Sequence, residues 1–565
     1  GGDITIASIA GTSVETVTLD AGTGALSVGA IGSGTEIGAV TLGSTDDGTV
    51  TLNGAIKTDG NVTITGPVSL ATGAISVTTT NDNITFNDTI NGTRALTLVA
   101  GTGTTTIQGE IGGSSALASL TITNGTANGA IEIANIGGVT GATAIGNTNT
   151  GTITLDGTTY STAGTQTYTA AAGQNIDITG AATFTTTNDN VSFATSGVDL
   201  ANNGTTTINT GTAGGTVSFG GAIEGNTAGA PFNDLLVITS GTGDVTFSGA
   251  IGATNALGGL SVNASSGDGN ITFSSTIGDT SNPGVVGTTS IGNTDTADLN
   301  FNAATYSFDG GTTTITAASG DTIDMGALAD TSFTTAADNI TFATGTIELL
   351  NGSNLTVDTG ATGGDITIAS IAGTSLETVT LDAGTGALSV GAIGSGTEIG
   401  AVTLGSTDGG GITLNGAIIA DAAVSITGPV SLATGAISVT TTNDNITFTG
   451  TVNGAQTLTL VAGTATTNIT GAIGADTALT GLTITNGTAN GTITLGGNIG
   501  DGSGAGVEGT TSIGNTNTGD LNFNGTLYSF DGTTTITAAS GDTIDMGALA
   551  ATSFTTAADN ITFAT

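Results

Sequence analysis

The feature that most limits what this chain can become is that it repeats itself at two scales. The segment Gly1-Gly2-Asp3-Ile4-Thr5-Ile6-Ala7-Ser8-Ile9-Ala10-Gly11-Thr12-Ser13 returns from Gly363 to Ser375, an offset of 362. The match persists with few changes to Leu120-Thr121-Ile122-Thr123-Asn124-Gly125, whose counterpart is Leu482-Thr483-Ile484-Thr485-Asn486-Gly487. Further on, Ser332-Phe333-Thr334-Thr335-Ala336-Ala337-Asp338-Asn339 returns as Ser553-Phe554-Thr555-Thr556-Ala557-Ala558-Asp559-Asn560, now at an offset of 221. Copy one therefore occupies 1–362. Copy two, 363–565, is a shortened version with about 140 residues removed, the difference between the two offsets. Residue 565 aligns with Thr344, inside copy one, so the natural chain is expected to continue in both directions.

A finer period runs inside each copy. Val17-Thr18-Leu19, Leu26-Ser27-Val28 and Ala30-Ile31-Gly32 make a three-part phrase that recurs as Val40-Thr41-Leu42, Val50-Thr51-Leu52 and Ala55-Ile56. It recurs again from Leu96-Thr97-Leu98 and from Leu120-Thr121-Ile122. The first strands of these phrases start at 17, 40, 96 and 120, and neighbouring spacings of 23 and 24 set the unit. Alternation of apolar residue and Thr sends Ile, Val and Leu to one face of a strand and hydroxyls to the other. No segment carries a 3.6-residue period, and Gly, at 97 of 565 positions, is too frequent for stable helices. Essentially no helix is expected.

Two architectures accept short alternating strands. A string of immunoglobulin-like sandwiches needs longer strands, repeats near 100 residues and a Trp or Tyr anchor in each domain. Trp is absent and Tyr numbers 4. A parallel β-solenoid, in which each unit of about 23 residues makes one coil and like residues stack on like, fits the short period. The expectation is an all-β fold, one continuous parallel solenoid over 1–565, with the right-handed β-helix favoured because no strict hexapeptide period is present. Roughly 24 coils at about 4.8 Å each make a rod about 115–120 Å long.

Phrases such as Leu96-Thr97-Leu98-Val99-Ala100-Gly101-Thr102-Gly103 resemble the very long repetitive surface proteins of Gram-negative bacteria. These include filamentous-haemagglutinin-like exoproteins, autotransporter passengers and other β-strand-repeat adhesins. The likeness covers the whole chain and is one of composition and period. It implies an extracellular or cell-surface β-helical rod that acts in adhesion, as a fibre or as matrix.

Composition narrows the chemistry. Lys+Arg is 2 against 44 Asp+Glu, a net charge of −42, which leaves no basic patch for a nucleic-acid backbone. Cys and His are absent, which removes thiolate nucleophiles, disulfides, imidazole bases and the usual zinc or haem ligands. No run of 18 apolar residues is present, so no membrane-inserted span is expected, and no signal peptide is visible.

The remaining site candidates are each better read as structure. Lyases of the β-helical kind use a Lys or Arg base, but Lys57 and Arg94 become Ile419 and Gln456 in copy two. The polygalacturonase-like Asn293-Thr294-Asp295 becomes Asn515-Thr516-Asn517, and the Asp46-Asp47 pair becomes Asp408-Gly409. No catalytic residue and no cofactor are expected. The phrase Asp-Asn-apolar-Thr/Ser-Phe starts at Asp82, Asp189, Asp338, Asp444 and Asp559. Its oxygens suit Ca²⁺. The corner reading, with Asp and Asn satisfying turn backbone and Phe86, Phe193, Phe342, Phe448 and Phe563 packed inside, is preferred. Diffuse Ca²⁺ association with so acidic a chain remains an expectation. Thr rows such as Thr312-Thr313-Thr314-Ile315-Thr316 invite an ice-binding reading, but outward Thr is the default on a sheet that avoids charge.

The functional expectation is a non-catalytic structural rod of a bacterial surface fibre, filament or biofilm matrix, self-associating end to end or side by side. A surface-layer protein is the second reading. The third is an adhesin that binds glycan or a host surface, for which Tyr160, Tyr168, Tyr306 and Tyr528 are the aromatic candidates.

Overall fold

The computed structural model describes residues 1–565 apart from 46–47, 201–203, 226–231, 265–266, 268, 327–329, 351, 408, 489 and 548–550. Asp46, Asp47 and Asp408 therefore lie outside the described residues. The chain divides into two compact units, Gly1–Ala297 and Asp298–Thr565, and this division does not fall at the boundary between the two sequence copies.

In both units, parallel strands wind around a stacked aliphatic core, and the described residues contain no helix. Strands pair with the strands one turn before and one turn after, never with their sequence neighbours, which is the signature of a parallel solenoid. A turn takes about 24 residues.

Each turn carries three short strands, so each unit has three parallel sheets. In Gly1–Ala297, sheet 1 begins with Val17–Asp20, Val40–Gly43 and Val62–Thr65. Sheet 2 holds the pairings Leu26 to Val50 to Val68, and sheet 3 holds Ile31 to Ile56 to Val77. The three-part phrase of the sequence is one strand for each sheet. In Asp298–Thr565 the same phrases build three corresponding sheets.

The alternation is read out directly. Along sheet 1, Val40, Val62, Ile84, Ile131, Ile153 and Ile176 stack inward and are almost fully buried, while Thr41, Thr63, Thr85 and Thr106 form a column outside. Burial of stacked β-branched side chains on a pleated surface is what holds one turn to the next. Aromatic residues join the same scheme. Phe193, Phe219, Phe247 and Phe273 stack at centroid distances of 4.9, 5.5 and 4.9 Å with ring planes within 8° of parallel. One turn rises by about the distance between two offset-stacked rings, so register alone brings them together.

Two positions show why glycine is needed at the corners. Gly66 and its counterpart Gly428 have φ of +98° and +124°. A Cβ at either would lie 2.0 Å from the carbonyl oxygen of Ser44 or Ser406 on the preceding turn. Only Gly accepts both the left-handed backbone and the close approach.

One expectation needs correction. The phrases starting at 17, 40, 96 and 120 do not all lie on one sheet. Val17 stacks on Val40 in sheet 1, whereas Leu96 stacks on Leu120 in sheet 3, in line with Val77 through Leu98. The 56 residues from Val40 to Leu96 make about two and a third turns at the observed 24 residues per turn. A third of a turn moves the phrase on by one face.

Candidate functional site

The Asp-Asn phrase is a corner clamp. Oδ1 of Asn83 accepts the backbone N–H of Thr104 on the next turn at 2.8 Å. Asn190 accepts Thr216 at 2.9 Å, Asn339 accepts Asp365 at 2.8 Å and Asn445 accepts Thr466 at 3.0 Å. The carbonyl of the preceding Asp accepts a Thr hydroxyl three residues upstream, Thr79, Thr186, Thr335 or Thr441. The Phe that ends the phrase is buried at 86, 193, 342 and 448. Phe563 also sits at a core register position, opposite Ile536, but it is 47% exposed because no turn covers its far side.

The clamp is not confined to one corner of the triangle. It precedes sheet 1 at Ile84 and its counterpart Ile446, and sheet 3 at Val191 and, in the corresponding sheet, Ile561. Ile340 pairs with Ile366, the counterpart of Ile4, so there it precedes the sheet corresponding to sheet 2. Carboxylates do the same work elsewhere: Asp3 holds Ala25 N–H at 2.9 Å, and Asp244 holds Asn270 at 2.9 Å. Asp365 holds Ala387 at 2.8 Å.

The cationic candidates are placed just as plainly. Arg94 is exposed, and its Nε donates to the carbonyl of Ala71 at 3.2 Å. Its counterpart Gln456 donates to the equivalent carbonyl, Ala433, at 3.4 Å. The two share a structural bond, which explains how an uncharged residue replaces the cation. Lys57 is half-exposed and pairs with Glu36 at 3.0 Å.

Asn293-Thr294-Asp295 is a local turn. Asn293 Oδ1 accepts the N–H of Asp295 at 2.8 Å, and Thr296 Oγ1 accepts the N–H of Asn293 at 3.0 Å. The same pair of bonds recurs in Asn515-Thr516-Asn517-Thr518 and in Asn147-Thr148-Asn149-Thr150.

The four Tyr side chains do not form a binding surface. Tyr160, Tyr168, Tyr306 and Tyr528 are all fully buried. Burial pushes the Tyr528 phenol up to about 12 and raises the other three as well. Tyr160 stacks on Phe184 at 4.8 Å, and Tyr306 stacks on Phe333 at 5.0 Å. The expectation that they supply exposed rings to a glycan is overturned, because strand alternation turns each of them inward.

Sequence reasoning missed one concave feature. On sheet 1 of the first unit, outward Asp177, Asp199 and Glu224 occupy three successive turns where Thr is usual. They line a cleft of about 480 Å³ together with Asn175, Thr254 and Asn255. Asn175 Nδ2 donates to Asp199 Oδ2 at 2.7 Å, and Glu224 Oε2 accepts the N–H groups of Thr254 and Asn255 at 3.0 and 2.8 Å. Burial first, and the neighbouring Asp199 second, hold the Asp177 carboxyl above its ordinary value. The carboxylates climb the sheet about 4.8 Å apart, one per turn, instead of converging on a shared point. Among the described residues no group of three or more Asp, Glu, His or Cys is placed to hold a metal ion. The readable signal was the acid in the Thr slot of Ile176-Asp177-Ile178, Val198-Asp199-Leu200 and Ile223-Glu224.

Comparison with known protein families, with curated proteins and with solved structures finds no match to this chain. No helix among the described residues is long and apolar enough to cross a membrane.

Proposed function

We propose that this chain is a non-catalytic structural component of a bacterial surface fibre, filament or extracellular matrix. One observation carries the reading: the polar groups of its most repeated phrases are spent on neighbouring turns. Asn83, Asn190, Asn339 and Asn445 each hold an amide of the next turn. Arg94 and Gln456 make the same carbonyl contact from unlike side chains. A repeat whose polar residues maintain the stack has been selected for length and regularity, and a solenoid gains stability turn by turn through nearest-neighbour contacts. The acidic exterior adds solubility and weakens indiscriminate contact between chains.

Electron microscopy of the native material tests this. Fibres or filaments built from the chain are the expected result. A two-dimensional lattice that dissolves in chelator would replace this reading with a surface layer. Isolated chains that turn over a polysaccharide would overturn it.

A further inference from the structure

We propose that sheet 3 of Gly1–Ala297 is the face through which a second copy of this chain packs side by side. The inference rests on the structural reading above and names the surface involved.

The chain carries −42 overall, yet its charge is not spread evenly over the three faces. The nine strands of sheet 3 from Ile75–Thr79 to Ile271–Phe273 contain no Asp, Glu, Lys or Arg. Their outward positions carry Ser, Thr and one Ala, in register from turn to turn. Thr167, Ser192, Ser218, Thr246 and Thr272 form the upper part of this column, all half-buried as expected on a flat sheet. The Ser218 hydroxyl donates to Ser192 Oγ at 2.9 Å, so the column is bonded along its length. Directly beneath it lies the aromatic stack of Phe193, Phe219, Phe247 and Phe273. Over the same turns, sheet 1 presents Asp177, Asp199 and Glu224.

Charge decides the occupant. A second copy brings the same −42, and docking on sheet 1 would set columns of carboxylates against like charge. Docking stripe to stripe opposes hydroxyl to hydroxyl and keeps the acidic faces apart. Both stripes also repeat at the same spacing of about 4.8 Å per turn, so contacts made at one turn are available at the next.

The test uses the full chain. One variant carries Ser192→Asp, Ser218→Asp and Thr246→Asp. A control adds equal charge to sheet 1 through Thr41→Asp, Thr63→Asp and Thr85→Asp. Sedimentation velocity over a concentration series should show lateral association of the parent, at least tenfold weaker association of the stripe variant, and less than a threefold change in the control. Because the chain has no Cys, a single Ser218→Cys or Thr63→Cys gives a second reading. The thiol at 218 should become protected from maleimide as chains associate, while the thiol at 63 stays reactive. Equal weakening by both triple variants, or an accessible 218 thiol in associated chains, overturns the inference. Filaments seen by microscopy with an accessible 218 thiol would sink this inference alone. A parent that never associates and hydrolyses glycan would sink the structural reading with it.

Discussion

Asn83 reaches across one full turn to hold Thr104: its side-chain oxygen lies 2.8 Å from the Thr104 amide nitrogen. Asn83 is itself held, since its own amide donates to Asn61 Oδ1 at 3.0 Å. Corner amides that sheet pairing leaves over are thus satisfied by the turn below, so a corner residue contributes to stacking as strands do. Replacing Asn83 with Ala should cost about 0.5–1.5 kcal/mol, the usual net worth of such a bond. Asn83→Asp should be tolerated near neutral pH, because Asp244 and Asp365 already hold amides in this way. Thermal or denaturant unfolding of the two variants checks both statements.

The core contains hydroxyls with no use. Thr105 sits in the buried ladder between Ile84 and Ile131, and its counterpart Thr467 sits between Ile446 and Ile493. Both are fully buried, and neither Oγ1 has a hydrogen-bond partner. Thr105→Val and Thr467→Val should each stabilise the fold by about 1 kcal/mol, because an unmade bond is removed at nearly constant shape. Thr359→Val should do the reverse, since the buried Thr359 hydroxyl donates to the carbonyl of Gly364 at 2.7 Å. Denaturant midpoints would read the opposite signs.

Truncation within the aromatic stack should be felt locally. Phe219→Ala removes a fully packed ring between Phe193 and Phe247 and should cost about 3–5 kcal/mol. In a solenoid that cost falls on adjacent turns. Amide exchange should quicken over roughly residues 190–250 and stay unchanged near Val40 and Val62. Uniform loss of protection along the whole unit would contradict nearest-neighbour coupling.

Two acids should respond to pH in opposite ways. Glu377 is fully buried, and burial alone would raise its pKa. Thr374 Oγ1, Thr374 N and Gly352 N donate to it at 2.6, 2.7 and 3.1 Å, and together they hold it below the usual Glu value of 4.5. Its contribution is present above 4.5 and is lost as pH falls through the lowered folded value. Glu377→Gln should therefore cost about 1–3 kcal/mol at pH 7 and much less at low pH. Asp177 is raised above 3.8, so its ionisation opposes folding as pH rises through that window. Asp177→Asn should stabilise the fold at neutral pH, with the advantage fading in acid. Stability curves from pH 3 to 7 decide both.

Much of this was legible in the residues alone. The 23–24-residue spacing and the apolar-Thr alternation, as in Val17-Thr18-Leu19 over Val40-Thr41-Leu42, determined a parallel stack with Val and Leu inside, since only turn-on-turn register satisfies so short a period. The Asp-Asn corners were readable for the same reason: their partners lie one period away. Tertiary structure alone decided which face each phrase occupies. The three sheets present similar interiors, so the phrase at Leu96 lands on a different sheet from the one at Val40 only because the chain between them adds a third of a turn. Small differences in turn length accumulate along the stack, and no local pattern records their sum. That sum placed Asp177, Asp199 and Glu224 on one face and left the face of Ser192, Ser218 and Thr246 without charge.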